Sequence, residues 1–91
     1  MSLRFANKKE NSADFDTKVT VKTSADCNVK ITLKDGDKVI YKAEKTSENN
    51  FCEFDFDVKE PTLWNAEKPY LYTLIISADN NEFIKQKVGF K

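Results

Sequence analysis

The chain has 91 residues, and its 15 Lys+Arg cancel its 15 Asp+Glu, which leaves room for one small domain with one modest core. The balance excludes a nucleic-acid module built on bulk positive charge, and the absence of His removes the commonest general base and metal ligand together. Two Cys are too few for a disulfide scaffold, no apolar run approaches the length of a membrane-spanning helix, and Met1 to Phe5 lacks a signal peptide's apolar stretch.

Val, Ile and Thr total 18 and aromatics 11, while Ala and Leu together reach only 11, so composition favours strands. With two Gly and two Pro, the turns fall to Asn, Asp and Ser. Residues 1–12 show no period and read as a poorly ordered segment, part of it of vector origin. From Phe15 the pattern alternates, with Phe15, Thr17, Val19, Val21 and Thr23 on one face and Asp16, Lys18, Thr20 and Lys22 on the other. After Ser24-Ala25-Asp26 a second strand places Val29, Ile31 and Leu33 on one face. Asp35-Gly36 is a hairpin signal, because Gly accepts the positive φ of a tight turn. The segment from Lys38 to Glu44 is ambiguous in facing, since Val39, Ile40 and Tyr41 are all apolar; a helix there would lack a continuous apolar face. A polar loop, Thr46 to Asn50, precedes a strand with Cys52, Phe54, Phe56 and Val58 on one side. An irregular connection from Pro61 to Pro69 leads to the most apolar strand, Tyr70 to Ala78. Asp79-Asn80-Asn81 turns it into a last strand, Glu82 to Lys91. The fold expected is all-β: an immunoglobulin-like antiparallel β-sandwich of about seven strands over residues 13–91.

Chemistry is thinly represented. Glu53, Asp55 and Asp57, with Glu60 just after, form the densest carboxylate set, but they line the solvent face of one strand. A glycosidase pair needs two carboxylates across a cleft, one of them buried. In a sandwich of this kind Lys18 and Lys22 would instead sit across from Asp55 and Asp57 as surface pairs. Asp35-Gly36-Asp37 has too few oxygens for a calcium loop. Cys27 and Cys52 lack CxxC spacing and read as reduced core thiols. Aromatics interleave with acids rather than bases, which disfavours a nucleic-acid platform. The expected sets of catalytic, cofactor-binding and metal-binding residues are therefore empty, with no cofactor, no nucleic-acid partner and no membrane partner.

One stretch is far more specific: Val58-Lys59-Glu60-Pro61-Thr62-Leu63-Trp64-Asn65-Ala66-Glu67-Lys68-Pro69-Tyr70-Leu71-Tyr72-Thr73-Leu74. It resembles the end of the immunoglobulin-like domain of glycoside hydrolase family 2, where Pro-x-Leu-Trp, a polar connection and Pro precede Leu-Tyr-Thr-Leu. Val88-Gly89-Phe90-Lys91 resembles that family's Val-Gly-Phe-Arg, with Lys91 in the place of Arg. The resemblance covers about the last 35 residues by motif. Among family members the spacing is most similar to β-galactosidases. The motif residues, Pro61, Leu63, Trp64, Pro69, Leu71, Tyr72, Leu74, Gly89 and Phe90, have structural work to do. The prolines fix φ, Trp64 is expected to close one end of the sandwich as a buried ring, Tyr72 stands where a tyrosine corner would be, and Gly89 allows a close approach.

The resemblance implies a spacer between an N-terminal jelly roll and a catalytic (β/α)8 barrel that carries the acid and nucleophile glutamates; no residue here matches a catalytic position. The implied partners are those two domains. Leu71 and Ile75 on one strand face, with Phe90 beside the chain end, are expected to meet them, and to cause weak self-association when bare. The alternative reading is a free-standing fibronectin-III-like carbohydrate-binding or adhesion module, which needs an exposed aromatic platform; a small enzyme is disfavoured by the missing His. Unpaired thiols favour the cytoplasm for the parent, with the periplasm as the alternative.

Overall fold

In the computed structural model, which describes residues 1–10, 14–79 and 81–90, the period-two patterns become strands. In chain order these are β1 (Ser2–Lys9), β2 (Asp14–Lys22), β3 (Asn28–Asp35), β4 (Lys38–Thr46), β5 (Phe51–Lys59), β6 (Tyr72–Ala78) and β7 (Phe83–Val88). They form two antiparallel sheets, β1-β2-β5 and β4-β3-β6-β7, as the sandwich expectation requires. Relative to an antibody constant domain, the fourth strand has left the first sheet and pairs with β3 in the other.

The core lies between the sheets. Phe15, Val19 and Val21 of β2 and Cys52, Phe54, Phe56 and Val58 of β5 face Val29, Ile31, Leu33, Tyr72, Leu74 and Ile76. β5 alternates exposed and buried without interruption, which is the pattern of a sheet with one wet face. The β4/β5 side of the sandwich is closed by Tyr41 stacked on Phe56, with ring centroids 3.8 Å apart, and by the Lys45 ammonium over the Phe54 ring.

Three local expectations change. The N-terminal segment is a strand over Ser2–Lys9, paired residue for residue with β2 from Ser2↔Lys22 to Lys9↔Phe15. Its inward residues, Leu3, Phe5 and Asn7, are only half-buried, because β1 is an edge strand, and the polar Asn7 cuts the alternation short. Residues 11–12 lie outside the described part. The ambiguous facing of β4 has a cause in the register: Leu33 pairs with Tyr41 but Lys34 with Val39, so Ile40 is the extra residue of a bulge. Lys22 lies opposite Phe51 rather than Asp57, and Asp57 lies opposite Asp16, while Lys18 does face Asp55.

Turn chemistry follows the side chains available. In the β3–β4 hairpin, Gly36 alone has positive φ (60°), which is the type II′ arrangement at the first central position. Asn49 and Asn50, with φ of 54° and 62°, form a type I′ turn closed by reciprocal bonds between Glu48 and Phe51 as the chain crosses between sheets. Asn accepts this conformation better than other side chains with a Cβ.

Thr17 is fully buried, and its Oγ1 has no hydrogen-bond partner. A buried hydroxyl left unpaired costs folding energy, whereas Val keeps the shape and drops the polar atom. Thr17→Val is therefore expected to raise stability by about 1 kcal/mol in a urea melt. A lower midpoint would show that the hydroxyl is satisfied in solution.

Candidate functional site

The family-like motif gathers at one end of the sandwich. The phenolic oxygen of Tyr72 accepts the backbone N–H of Thr62 at 2.9 Å, tying the β5–β6 connection to the start of β6. Pro61 is buried beneath it. Asn65 Oδ1 accepts the N–H groups of Glu67 and Lys68, so the middle of the connection is an Asn-led turn. The backbone N–H of Trp64 donates to the Phe90 carbonyl at 2.7 Å, and Leu63 and Phe90 form an isolated parallel bridge. Asn7 Nδ2 donates to the Gly89 carbonyl, so β1 also holds the end of the chain. A Cβ on Gly89 would lie 3.2 Å from Trp64 Cβ and 3.4 Å from its Cγ, so a side chain there would press on Trp64.

Phe90 is fully buried, against the expectation that it borders an exposed patch. Once β7 ends, its ring turns between the sheets, where apolar surface leaves water. Trp64 is half-buried rather than buried: the base of its side chain packs on Gly89 at the rim, and the ring does not enter the core. Leu63 and Leu71 are each 46% exposed, Pro69 is exposed and Leu74 is buried. Lys91 lies outside the described residues.

Beside the motif, an open cleft of about 450 Å³ runs between the β3–β4 hairpin and the β5–β6 connection. Its walls include Asp35, Lys38, Lys59, Glu60, Thr62 and Tyr72. The Tyr70 hydroxyl donates to Asp35, and that bond, foremost, raises the Tyr70 pKa. Periodicity carries no sign of this tie, because Asp35 reads as turn chemistry and Tyr70 as strand. Since the overlap at Gly89 is with a side chain whose own backbone is bonded to Phe90, Gly89→Ala is expected to lower stability by about 1–3 kcal/mol in denaturant melts. An unchanged midpoint would mean that Trp64 moves aside freely.

The carboxylates form a second candidate. Glu10, Asp16 and Asp57 bring one oxygen each within 4.8 Å of the others, at the wet surface of β1-β2-β5. Glu10 is held above its ordinary pKa chiefly by the charge of Asp57, then by desolvation, with Asp16, Asp14 and Asp55 adding to it. Asp16 is raised first by a hydrogen bond with Asp55, then by desolvation and by the charges of Asp55 and Asp57, while Lys18 opposes the shift. Repulsion thus leads for Glu10 and a hydrogen bond shared between carboxyls leads for Asp16, and the described residues around them form a flat face. Acids whose folded pKa is raised stabilise the fold below the ordinary carboxylate range, and that contribution is lost as pH rises through the raised values. Asp16→Asn should therefore raise the urea midpoint at about pH 7 and flatten its decline from about pH 4. A lower midpoint at neutral pH would instead make the Lys18 contact dominant.

The two thiols, Cys27 and Cys52, are free and buried, and burial pushes the Cys52 thiol up, away from reactivity. The Asp35-Gly36-Asp37 segment is the β3–β4 hairpin turn. Ile75 is half-buried on the outer face of β6, between Thr32 and Lys85.

Comparison with known proteins places this geometry. The chain is 32% identical over 95 residues to a β-galactosidase of Alteromonas mediterranea, a match covering 87% of the chain. It is 48% identical over 48 residues to a β-galactosidase of Staphylococcus xylosus. These matches span only 9% and 5% of those relatives. A β-glucuronidase of Ruminococcus gnavus superposes with a TM-score of 0.78 at 20% identity, over 97% of this chain and 14% of that one. A β-glucuronidase from an uncultured Clostridium gives 0.77 at the same identity and coverage. At 20% identity these two solved structures share the fold. The family model described as glycosyl hydrolases family 2 matches residues 2–91, nearly the whole sandwich, and the chain belongs to that family.

Proposed function

We propose that this chain is a non-catalytic spacer domain of a family 2 glycoside hydrolase of β-galactosidase type, joining an N-terminal jelly roll to a catalytic (β/α)8 barrel. The observation that carries this reading is the motif end, where Tyr72, Trp64, Gly89 and Phe90 bond to backbone and pack on one another. Leu63 and Leu71, exposed beside the cleft, offer apolar contacts at the Phe90 end.

The β-galactosidase assignment within the family leans on the sequence relatives, since the β-glucuronidases speak for the fold alone. Two buried free thiols favour a reducing compartment for the parent. The free-standing carbohydrate module is less favoured. Its aromatic platform would have to be built from Phe51 and Phe83, which lie on strands of different sheets, and from a Trp64 committed to Gly89 and Phe90.

The test is an assay of the 91-residue chain and of the polypeptide that contains it, on chromogenic β-galactoside and β-glucuronide. The isolated chain should be inactive, and the larger polypeptide should release galactose with retention of configuration. Turnover by the isolated chain that disappears on mutating Asp16 or Asp57 would overturn the spacer reading. Preference of the larger polypeptide for the glucuronide would overturn the galactosidase assignment.

A further inference from the structure

The neutral total of the chain hides an uneven distribution. On the outer face of β4-β3-β6-β7, register sets Glu44, Lys30 and Ser77 in one row, Lys42, Thr32, Ile75 and Lys85 in the next, and Lys34, Thr73 and Lys87 in a third. Among the described strand residues, five lysines thus share a face with one carboxylate, and Asp79 adds a second beyond the end of β6, beside Lys30 and bonded to the Asn28 N–H. The Glu44 carboxylate is already engaged, 3.6 Å from the Lys30 ammonium and accepting from Asn28 Nδ2 at 2.6 Å. The outer face of the other sheet is mixed instead, with Lys18 opposite Asp55 and Lys59 opposite Asp14.

The centre of the lysine face is apolar. Half-buried Ile75 lies among Thr32, Thr73 and the lysine stems, and Phe83, 63% exposed, stands on the neighbouring row. An apolar centre inside a charged rim is the anatomy of a protein–protein contact. A second copy is a poor occupant: face-to-face pairing would bring lysines onto lysines, and the mixed face offers no net opposite charge. Like-charge repulsion therefore argues against self-association through Ile75.

We propose that this face docks against a carboxylate-rich surface, with an apolar residue opposite Ile75, on another part of the same polypeptide. The inference rests on the reading of the chain as one domain of a larger enzyme. The curated relatives, of which the chain spans 4–9%, carry most of their length outside this region. The lysines set orientation and exclude positively charged neighbours, while Ile75 supplies the buried contact.

The test uses the full-length polypeptide, treated with a zero-length carbodiimide cross-linker and, separately, with an amine-acetylating reagent. Lys42 or Lys85 should cross-link to Asp or Glu outside residues 1–91. Mixed isotope-labelled samples should show that the links lie within one molecule. Lys42→Glu with Lys85→Glu should abolish the links and raise the acetylation rate of Lys34 about tenfold, as expected for opening a contact worth about 1.4 kcal/mol. The Lys42→Arg, Lys85→Arg pair should keep Lys34 protected. Links between molecules would make the occupant a second copy and overturn the proposal, as would an absence of links with all five lysines freely acetylated. Retention on a DNA column that the charge reversal abolishes, without links, would make the face a polyanion site and overturn it too. Galactoside hydrolysis, measured on the same samples, reports separately on the parent reading.

Discussion

The packing of Phe90 is the constraint on which the rest of this sandwich depends. Its ring meets Phe5 of β1 at 5.8 Å, Phe15 of β2 at 5.7 Å and Tyr72 of β6 at 5.2 Å, each edge to face. Such pairs add about 0.5–1.5 kcal/mol each beyond burial. The residue therefore joins both sheets, and its carbonyl fixes Trp64 in the long connection. A small domain has few such anchors, because so much of its chain remains at the surface.

The same junction accounts for what the most recognisable residues hold in place. Tyr72 spends its hydroxyl on Thr62, while Trp64 is held by its backbone N–H on the Phe90 carbonyl and by the root of its side chain on Gly89. The prolines remove conformations that a connection of this length would otherwise sample. Carboxylates, numerous as they are, remain on wet faces where they repel one another, as at Glu10 and Asp16. What this end of the domain offers is a fixed shape bordered by exposed Leu63 and Leu71.

Its two outer faces serve different physical ends. The mixed face of β1-β2-β5 sets Lys18 opposite Asp55 and Lys59 opposite Asp14, beside the like-charged Asp16 and Asp57. The lysine face of β4-β3-β6-β7 concentrates one sign around Ile75. The docking proposed for this family 2 domain would leave the first face to solvent and cover the second, with the aromatic junction setting the geometry between them.

The sequence by itself determined the strands of β2, β3 and β5, because strict alternation around a buried face leaves a strand no other facing. It also determined the hairpin at Gly36 and the family-like junction, since turn and motif residues act over a few positions along the chain. It left β1 unread, because an edge strand buries little and Asn7 interrupts its period. Only the tertiary structure decided the bulge at Ile40, the burial of Phe90 and the partial exposure of Trp64. It alone placed Asp16 opposite Asp57, tied Tyr70 to Asp35 and gathered five lysines onto one face. Each of these depends on which strands become neighbours and in what register, and pairing between residues far apart in the chain leaves no trace in local periodicity.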